Sequence, residues 1–287
     1  MAAVIDSPDF MLHHVGVNNL GISKKIYLFL KGLIVGFVYK NFDKRIFCYL
    51  LNILFLKSQK LKYENGKYSV SYNDYWIFFP NKRVVRMFLK PEVHLKTLYD
   101  SYCLHTAGIT DGDLIIDCGA NIGELYYSFL INEQKIQYFA FEPEWNTYSC
   151  LEENLNKFSN VKLYNLALSN DTKTSQLFVD KEGANSSLSN FGSSERKEVS
   201  TNKLDEFKLQ SIKLLKVEAE GHELEVLEGS INTLSKTEFV SIDYGPEKGL
   251  DQVSTLSDVV NFMYKNNFSL IETSKYRQIG LFKNNNL

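Results

Sequence analysis

Four cysteines are spread over 287 residues, at 48, 103, 118 and 150, with no Cys-x-x-Cys pair among them. That scarcity excludes a disulfide framework and a thiolate zinc site, and it fits a reducing compartment. Nowhere does the chain carry the stretch of about 20 apolar residues that a membrane-spanning helix needs. Its two greasiest runs, Ile26–Tyr39 and Ile46–Leu56, are interrupted by Lys31 and Asn52. The opening residues, Met1 to Asp9, lack the basic segment followed by an apolar core that marks a secretory leader, so a cytoplasmic location is expected. No internal repeat is present.

Net charge is small in total and uneven in place. The net charge is −2, yet residues 21–62 hold nine Lys or Arg against one acid, Asp43, a balance of +8. Short apolar runs bracketed by lysines fit interfacial helices at the inner face of a membrane. They fit equally a helical pair packed on the main domain, and the sequence leaves both open. Nucleic acid is not an expected partner, because the charges bracket apolar runs and do not interleave with exposed aromatics. With 44% apolar and 14% aromatic residues the chain can bury a sizeable core. The expected organisation is a helical appendage over 1–60, a β-hairpin and linking helix over 61–107, and an α/β domain over 108–287.

Two missing glycines decide the cofactor class. Residues 114–124, Leu-Ile-Ile-Asp-Cys-Gly-Ala-Asn-Ile-Gly-Glu, read as a strand, a tight turn and a helix N-terminus. A dinucleotide turn wants Gly-x-Gly-x-x-Gly. Counted from Gly119, the second and third positions hold Asn121 and Glu124, so NAD is disfavoured. Asp117, at the strand end, would repel a pyrophosphate but attract the ammonium of an amino-acid moiety through intervening groups or water. S-adenosylmethionine carries such a group. A second strand, Ile136–Pro143, ends in Glu142, positioned to accept both hydroxyls of a ribose.

Further strands are expected at 161–168, 175–180, 212–219, 239–244, 268–273 and 278–284, with helices at 91–107, 144–157, 222–235 and 252–265. Strands alternating with helices imply a mostly parallel sheet, and the last two strands form an antiparallel terminal hairpin. Within 213–229, strand alternation puts Lys216, Glu218 and Glu220 on one side. Carboxylates fit poorly in a central parallel strand and belong at its carboxyl end, where open α/β sheets bind ligands. Methylating an alcohol requires removal of its proton, and His222 is the first candidate base, Glu220 the second. His222 as a mere helix cap is the competing reading. Glu218 and Asp243 are substrate candidates, or with Glu220 members of an oxygen-rich magnesium site, although no dedicated metal spacing is present. Tyr126, Trp145 and Tyr244 are candidates to stack on a sugar face, and equally candidates for the core.

These motifs, in order, resemble the FkbM family of S-adenosylmethionine-dependent methyltransferases. The resemblance rests on Asp117 to Gly123, Glu142-Pro143, Leu204-Asp205-Glu206 and Lys216-Val217-Glu218-Ala219-Glu220-Gly221-His222-Glu223, and covers about 110–245. It implies a class I methyltransferase fold: a Rossmann-like, mostly parallel seven-stranded sheet, here carrying a helical N-terminal appendage. It implies that Asp117, Gly119, Ala120, Asn121 and Gly123 line the methionine part of the cofactor, that Glu142 holds the ribose and that Ala167 lies near adenine. It also implies O-methylation, commonly of sugar or polyketide hydroxyls. Glu218 departs from the pattern, which usually has Asp there, and the Asp243-Tyr244-Gly245-Pro246-Glu247 turn departs from its usual ending. The expected function is therefore methylation of a sugar hydroxyl on a glycan, polysaccharide or glycolipid precursor. The alternatives are a carboxyl or amine methyltransferase acting on a small molecule, or a degenerate fold retained as a glycan-assembly partner. The sequence does not give an oligomeric state.

Overall fold

The computed structural model describes residues 21–179 and 186–287. The first third of the expected appendage, 1–20, and the end of the strand expected at 175–180 lie outside the described residues. Two compact units divide the chain at His94 and Leu95.

The first unit opens with α1 (Ile22–Asn41) and α2 (Lys44–Phe55), followed by a meander of β1 (Leu61–Glu64), β2 (Lys67–Tyr72) and β3 (Tyr75–Phe79). Asn52, the polar break in the second apolar run, pairs with the edge strand through both its amide groups. Its Nδ2 donates to the Leu61 carbonyl at 2.9 Å and its Oδ1 accepts from the Leu61 amide at 2.9 Å. Phe47 of α2 meets Tyr68 of β2 edge-on at 5.9 Å. Lys82 donates to the carbonyls of Tyr39 and Phe42 at the end of α1 and pairs with Asp43 at 3.1 Å. A cation on the last carbonyls of a helix complements its dipole. The short α3 (Val85–Leu89) packs on β2.

The second unit is reached within α4 (Pro91–Ser101), which leads to α5 (Leu104–Ala107). The helix expected over 91–107 is thus split, because Cys103 takes a left-handed backbone. Then follow β4 (Leu114–Cys118), α6 (Glu124–Ile131), β5 (Gln137–Phe141), α7 (Trp145–Leu155) and β6 (Val161–Tyr164). The strand expected at 161–168 stops at Tyr164, and β7 (Ala167–Leu168) enters a separate three-stranded sheet with β8 (Lys173–Phe178) and β9 (Arg196–Asn202). After β10 (Ile212–Val217), the helix expected over 222–235 is two helices, α8 (Glu223–Glu228) and α9 (Ile231–Leu234). The break falls at Gly229, where a Cβ would lie 1.9 Å from the Ser169 carbonyl oxygen. Asp205 of the Leu-Asp-Glu segment closes it by accepting the Thr233 amide at 2.7 Å. The chain continues through β11 (Thr237–Asp243), a small hairpin of β12 (Pro246–Lys248) and β13 (Val253–Ser254), then α10 (Leu256–Lys265), β14 (Phe268–Thr273) and β15 (Ile279–Asn284).

Seven strands form the main sheet in the order β14-β15-β11-β10-β4-β5-β6. β15 runs antiparallel to both its neighbours, while β4, β5, β6, β10 and β11 are mutually parallel. The fold is the α/β class I methyltransferase arrangement with its terminal hairpin. Ile116, Leu215, Val217, Val240 and Ile242 fill the buried core of this sheet. The order of the strands reverses between β4 and β10, so the crevice for a ligand opens beyond their carboxyl ends.

Candidate active site

The turn after β4 is built for close approach. Gly119 has φ +75°, and a Cβ there would fall 2.0 Å from the carbonyl oxygen of Glu218, across the reversal point. The amides of Gly119 and Ala120 both donate to the Phe141 carbonyl at 3.0 Å, tying the turn to the end of β5. Asn121 is left-handed at φ 52°, and its amide donates to Glu142 Oε2 at 3.0 Å. Gly123, at φ +86°, precedes α6 and leaves no space for a Cβ against Leu151 and Leu155. Glu142 is buried, and burial pushes its carboxyl up to about 7, against the opposing hydrogen bonds from the amides of Glu144 and Asn121. The sequence expectations for Gly119, Ala120, Asn121, Gly123 and Glu142 thus meet around one turn. Ala167 is buried at the start of β7, beyond β6.

Asp117 sits differently. It is fully buried within β4, paired with Lys216 of the neighbouring β10 at 2.8 Å and accepting a hydrogen bond from the Tyr138 hydroxyl. Lys216 also donates to the carbonyls of Cys118 and Gly119, at 3.1 and 2.7 Å, so its ammonium underlies the turn. Burial alone would lower the Lys216 pKa, but Asp117, Tyr102 and Glu218 outweigh it and hold the amine firmly protonated. This chain of charges continues. Lys216 lies 3.2 Å from Glu218, and Glu218 accepts from Tyr102 and Arg277, the latter lying in the loop between β14 and β15. Arg277 also binds Asp243 Oδ2 at 2.6 Å. Burial pushes the Glu218 carboxyl up, but Arg277 and Lys216 prevail and hold it well below the carboxylate range.

Arg277 therefore stands where the magnesium reading of Glu218 and Asp243 would put a cation. No group of three or more His, Cys, Asp or Glu among the described residues is arranged to hold a metal ion. The magnesium expectation is not supported.

Glu220 is the most unusual of the carboxylates. It is a non-glycine residue at φ 51°, and its Oε2 is buried without a hydrogen-bond partner in the protein. Strained backbone of this kind collects at functional sites. Gly221 explains who its neighbour is: a Cβ there would lie 2.6 Å from Lys248 Cα and 2.9 Å from the Glu247 carbonyl carbon, so only glycine lets β12 lie against this turn. β12 carries Glu247 beside the Glu220 carboxyl, close enough to raise its pKa. Burial, then Glu247 and Glu218, raise the Glu220 pKa well above its ordinary value; burial, then Asp243 and Glu218, push Glu247 up to about 7. Glu223 fastens the turn from below, accepting the amides of Ala219 and Gly221 at 3.2 and 2.9 Å and the Thr255 hydroxyl at 3.0 Å.

His222 faces another way. Its Nε2 is 2.9 Å from Ser169 Oγ and its Nδ1 is 3.5 Å from Glu225, while burial lowers its pKa. Of the aromatic candidates, Tyr126 is core, packed on Tyr138 and Phe158. Tyr244 is buried, and Trp145 is exposed beside Tyr148. Tyr102, Tyr138 and Arg277 escaped sequence reasoning altogether; a lysine inside a central strand was the one signal that counter-charges had to come from elsewhere.

A family model, the methyltransferase FkbM domain, matches residues 117–270. Among curated proteins the chain is similar to the hexuronic acid methyltransferase AglP of Haloferax volcanii, 31% identical over 137 residues, which are 46% of this chain and 56% of that protein. Among solved structures it is similar to a methyltransferase FkbM from Methylobacillus flagellatus, at 16% identity and a TM-score of 0.45, over 67% of this chain and 54% of that one. An S-adenosylmethionine-dependent methyltransferase from Aquifex aeolicus matches at 15% identity and a TM-score of 0.39, over 67% of this chain and 97% of that one. The chain spans little more than half the length of the first two. The family match runs from the carboxylate of β4 into β14, more than half of the chain, and the protein belongs to the FkbM methyltransferase family.

Proposed function

We propose that this protein is an S-adenosylmethionine-dependent O-methyltransferase acting on a sugar hydroxyl of a glycan or glycolipid precursor, with residues 108–287 as its catalytic domain. The observation that carries the reading is the pair of facing carboxyl groups, Glu220 and Glu247, at the carboxyl end of β10, beside the glycine turn of β4. The hexuronic acid named for the Haloferax relative supports a sugar as the acceptor.

The residues present fit the cofactor. Gly119 and Gly123 let the turn close against Glu218 and against Leu151 and Leu155, Asn121 and Ala120 complete it, and Glu142 would offer its carboxyl to ribose hydroxyls. S-adenosylmethionine, when bound, supplies an electrophilic methyl group on a sulfonium. Asp117 acts from beneath: it fixes Lys216, whose ammonium holds the carbonyls of Cys118 and Gly119 and so the shape of the turn.

A sugar hydroxyl must lose its proton as its oxygen becomes a nucleophile. The hydroxyl proton passes to the Glu220 and Glu247 pair, which can accept it once Glu247 is ionised, and the two carboxyls share it. Titrations in such a pair belong to the pair, and a carboxyl raised towards the working pH is a better base than an ordinary one. Arg277 helps to keep Glu218 ionised and opposes the burial that raises Asp243, without adding a further proton to the site. The test is transfer of labelled methyl from S-adenosylmethionine to hexuronic-acid oligosaccharides, to neutral glycans and to small carboxylic acids and amines. Transfer to a sugar oxygen, located by mass spectrometry, is the expected result. Methyl ester or methylamine products would overturn the acceptor class, and cofactor binding with no transfer to any acceptor would favour a degenerate site.

A further inference from the structure

The first unit carries a surface that the methyltransferase site does not use. On α1, Leu28, Gly32, Val35 and Val38 form the buried stripe. The opposite face repeats at helical spacing through Ile22, Ile26, Leu30, Leu33 and Phe37, all exposed, with Leu30 at 52% and Phe37 at 62%. On α2, Phe47, Cys48 and Leu51 are buried, while Ile46, Tyr49 and Ile53 are exposed. An amphipathic helix of a water-surrounded protein shows polar residues on that side. Here both helices show apolar ones, and contiguous apolar surface of this kind marks an interaction site.

Charge identifies the partner. Lys24, Lys40, Lys44 and Arg45 are exposed at the ends of these helices, and the single acid of the segment, Asp43, is engaged by Lys82. No helix among the described residues is long and apolar enough to cross a membrane. Apolar face, basic ends and insufficient length together are the signature of a helix lying in the headgroup layer, its apolar side sunk about 5–10 Å. A two-fold contact between copies would instead press the same basic groups against one another with no acid to offset them. We infer that the outward faces of α1 and α2 are a docking surface for an anionic lipid bilayer, on which both helices lie flat.

The experiment is co-sedimentation of the full chain with phosphatidylcholine vesicles, with and without one quarter phosphatidylglycerol, alongside sedimentation velocity without lipid. The wild-type chain is expected to bind the anionic vesicles. Leu30→Glu/Phe37→Glu, at exposed positions that leave the buried stripe intact, is expected to weaken that binding at least tenfold, with an unchanged thermal transition. A second variant, Lys24→Gln/Lys40→Gln, tests the charges without touching the apolar face, and about tenfold weaker binding to anionic vesicles is expected. Absence of wild-type binding overturns the inference, as does equal binding to neutral vesicles. So does a dimer in solution that Leu30→Glu/Phe37→Glu dissociates, which would assign the face to a second copy of the chain.

Discussion

The two units break the ordinary rule of burial in opposite directions. In the helical unit, apolar side chains stand outside: Ile22, Leu30, Phe37 and Tyr49 are exposed while the basic residues gather at the helix ends. In the sheet unit, charge stands inside: Asp117 and Lys216 are all but inaccessible at the centre of a parallel sheet. An exposed apolar face costs solubility and a buried ion costs desolvation, about several kcal/mol per ion. Neither helps the fold, so each marks where the chain meets something other than itself. The exception in the helical unit lies on its surface, and the one in the sheet unit lies inside, beneath the glycine turn.

The sharpest test of the inner half is Glu220→Gln, which keeps the shape and removes the base. Turnover should fall about 10²- to 10⁴-fold with cofactor affinity unchanged in calorimetry. In the wild-type enzyme the rate should rise as pH passes about 7, where Glu247 gives up its proton, and that rise should vanish in the variant. Lys216→Met leaves Asp117 and Glu218 buried without their cation and should cost about 3–5 kcal/mol in chemical denaturation. If stability were unchanged, the buried charges would be ornament and the contrast between the units would collapse.

Glu142→Ala should weaken S-adenosylmethionine about 10- to 100-fold, as expected for lost hydrogen bonds to a charged group. Because Glu142 is held above its ordinary value of 4.5, at about 7, the folded chain keeps that proton better than the unfolded one. Its contribution to stability is full below pH 4.5 and is lost as pH rises through about 7, a slope the alanine variant should lack in denaturation at several pH values. His222→Ala should change turnover by less than about threefold, since its ring is committed to Ser169 and Glu225. A larger loss, with cofactor affinity intact, would return the base to His222. Smallest of all, Phe37→Ser on the outer face should shift the stability of the chain by no more than about 0.5 kcal/mol.

Much of the sheet unit was legible because its information is local. β4, β5 and β10 are apolar runs that end in a carboxylate or a turn, and the terminal hairpin is two runs joined by four residues. The three-stranded sheet of β7, β8 and β9 was not fully foreseen: Arg196–Asn202 alternates polar residues with one face in water, so it carries no apolar period. The break between α8 and α9 depends on Ser169 passing Gly229, a contact 60 residues away in sequence. The site divides along the same line. The glycine turn, Glu142 and Glu220 are written in short motifs, whereas the partners of Glu218 come from Tyr102 and Arg277, 116 and 59 residues away. No spacing rule links them, and the roles of Lys216 and Glu247 emerge only when β10 and β12 are seen beside their neighbours.

Arg277 lies in the last hairpin of the sheet, and this has a consequence for the order of assembly. Until β14 and β15 arrive, the carboxylates of Glu218 and Asp243 face each other at the ends of β10 and β11 without the cation that both share. Glu218 still has Lys216 at 3.2 Å in that state, so it is Asp243 that depends most on the hairpin for its counter-charge. The final hairpin thus works as a clasp: its loop supplies the guanidinium that ties the end of β10 to the end of β11.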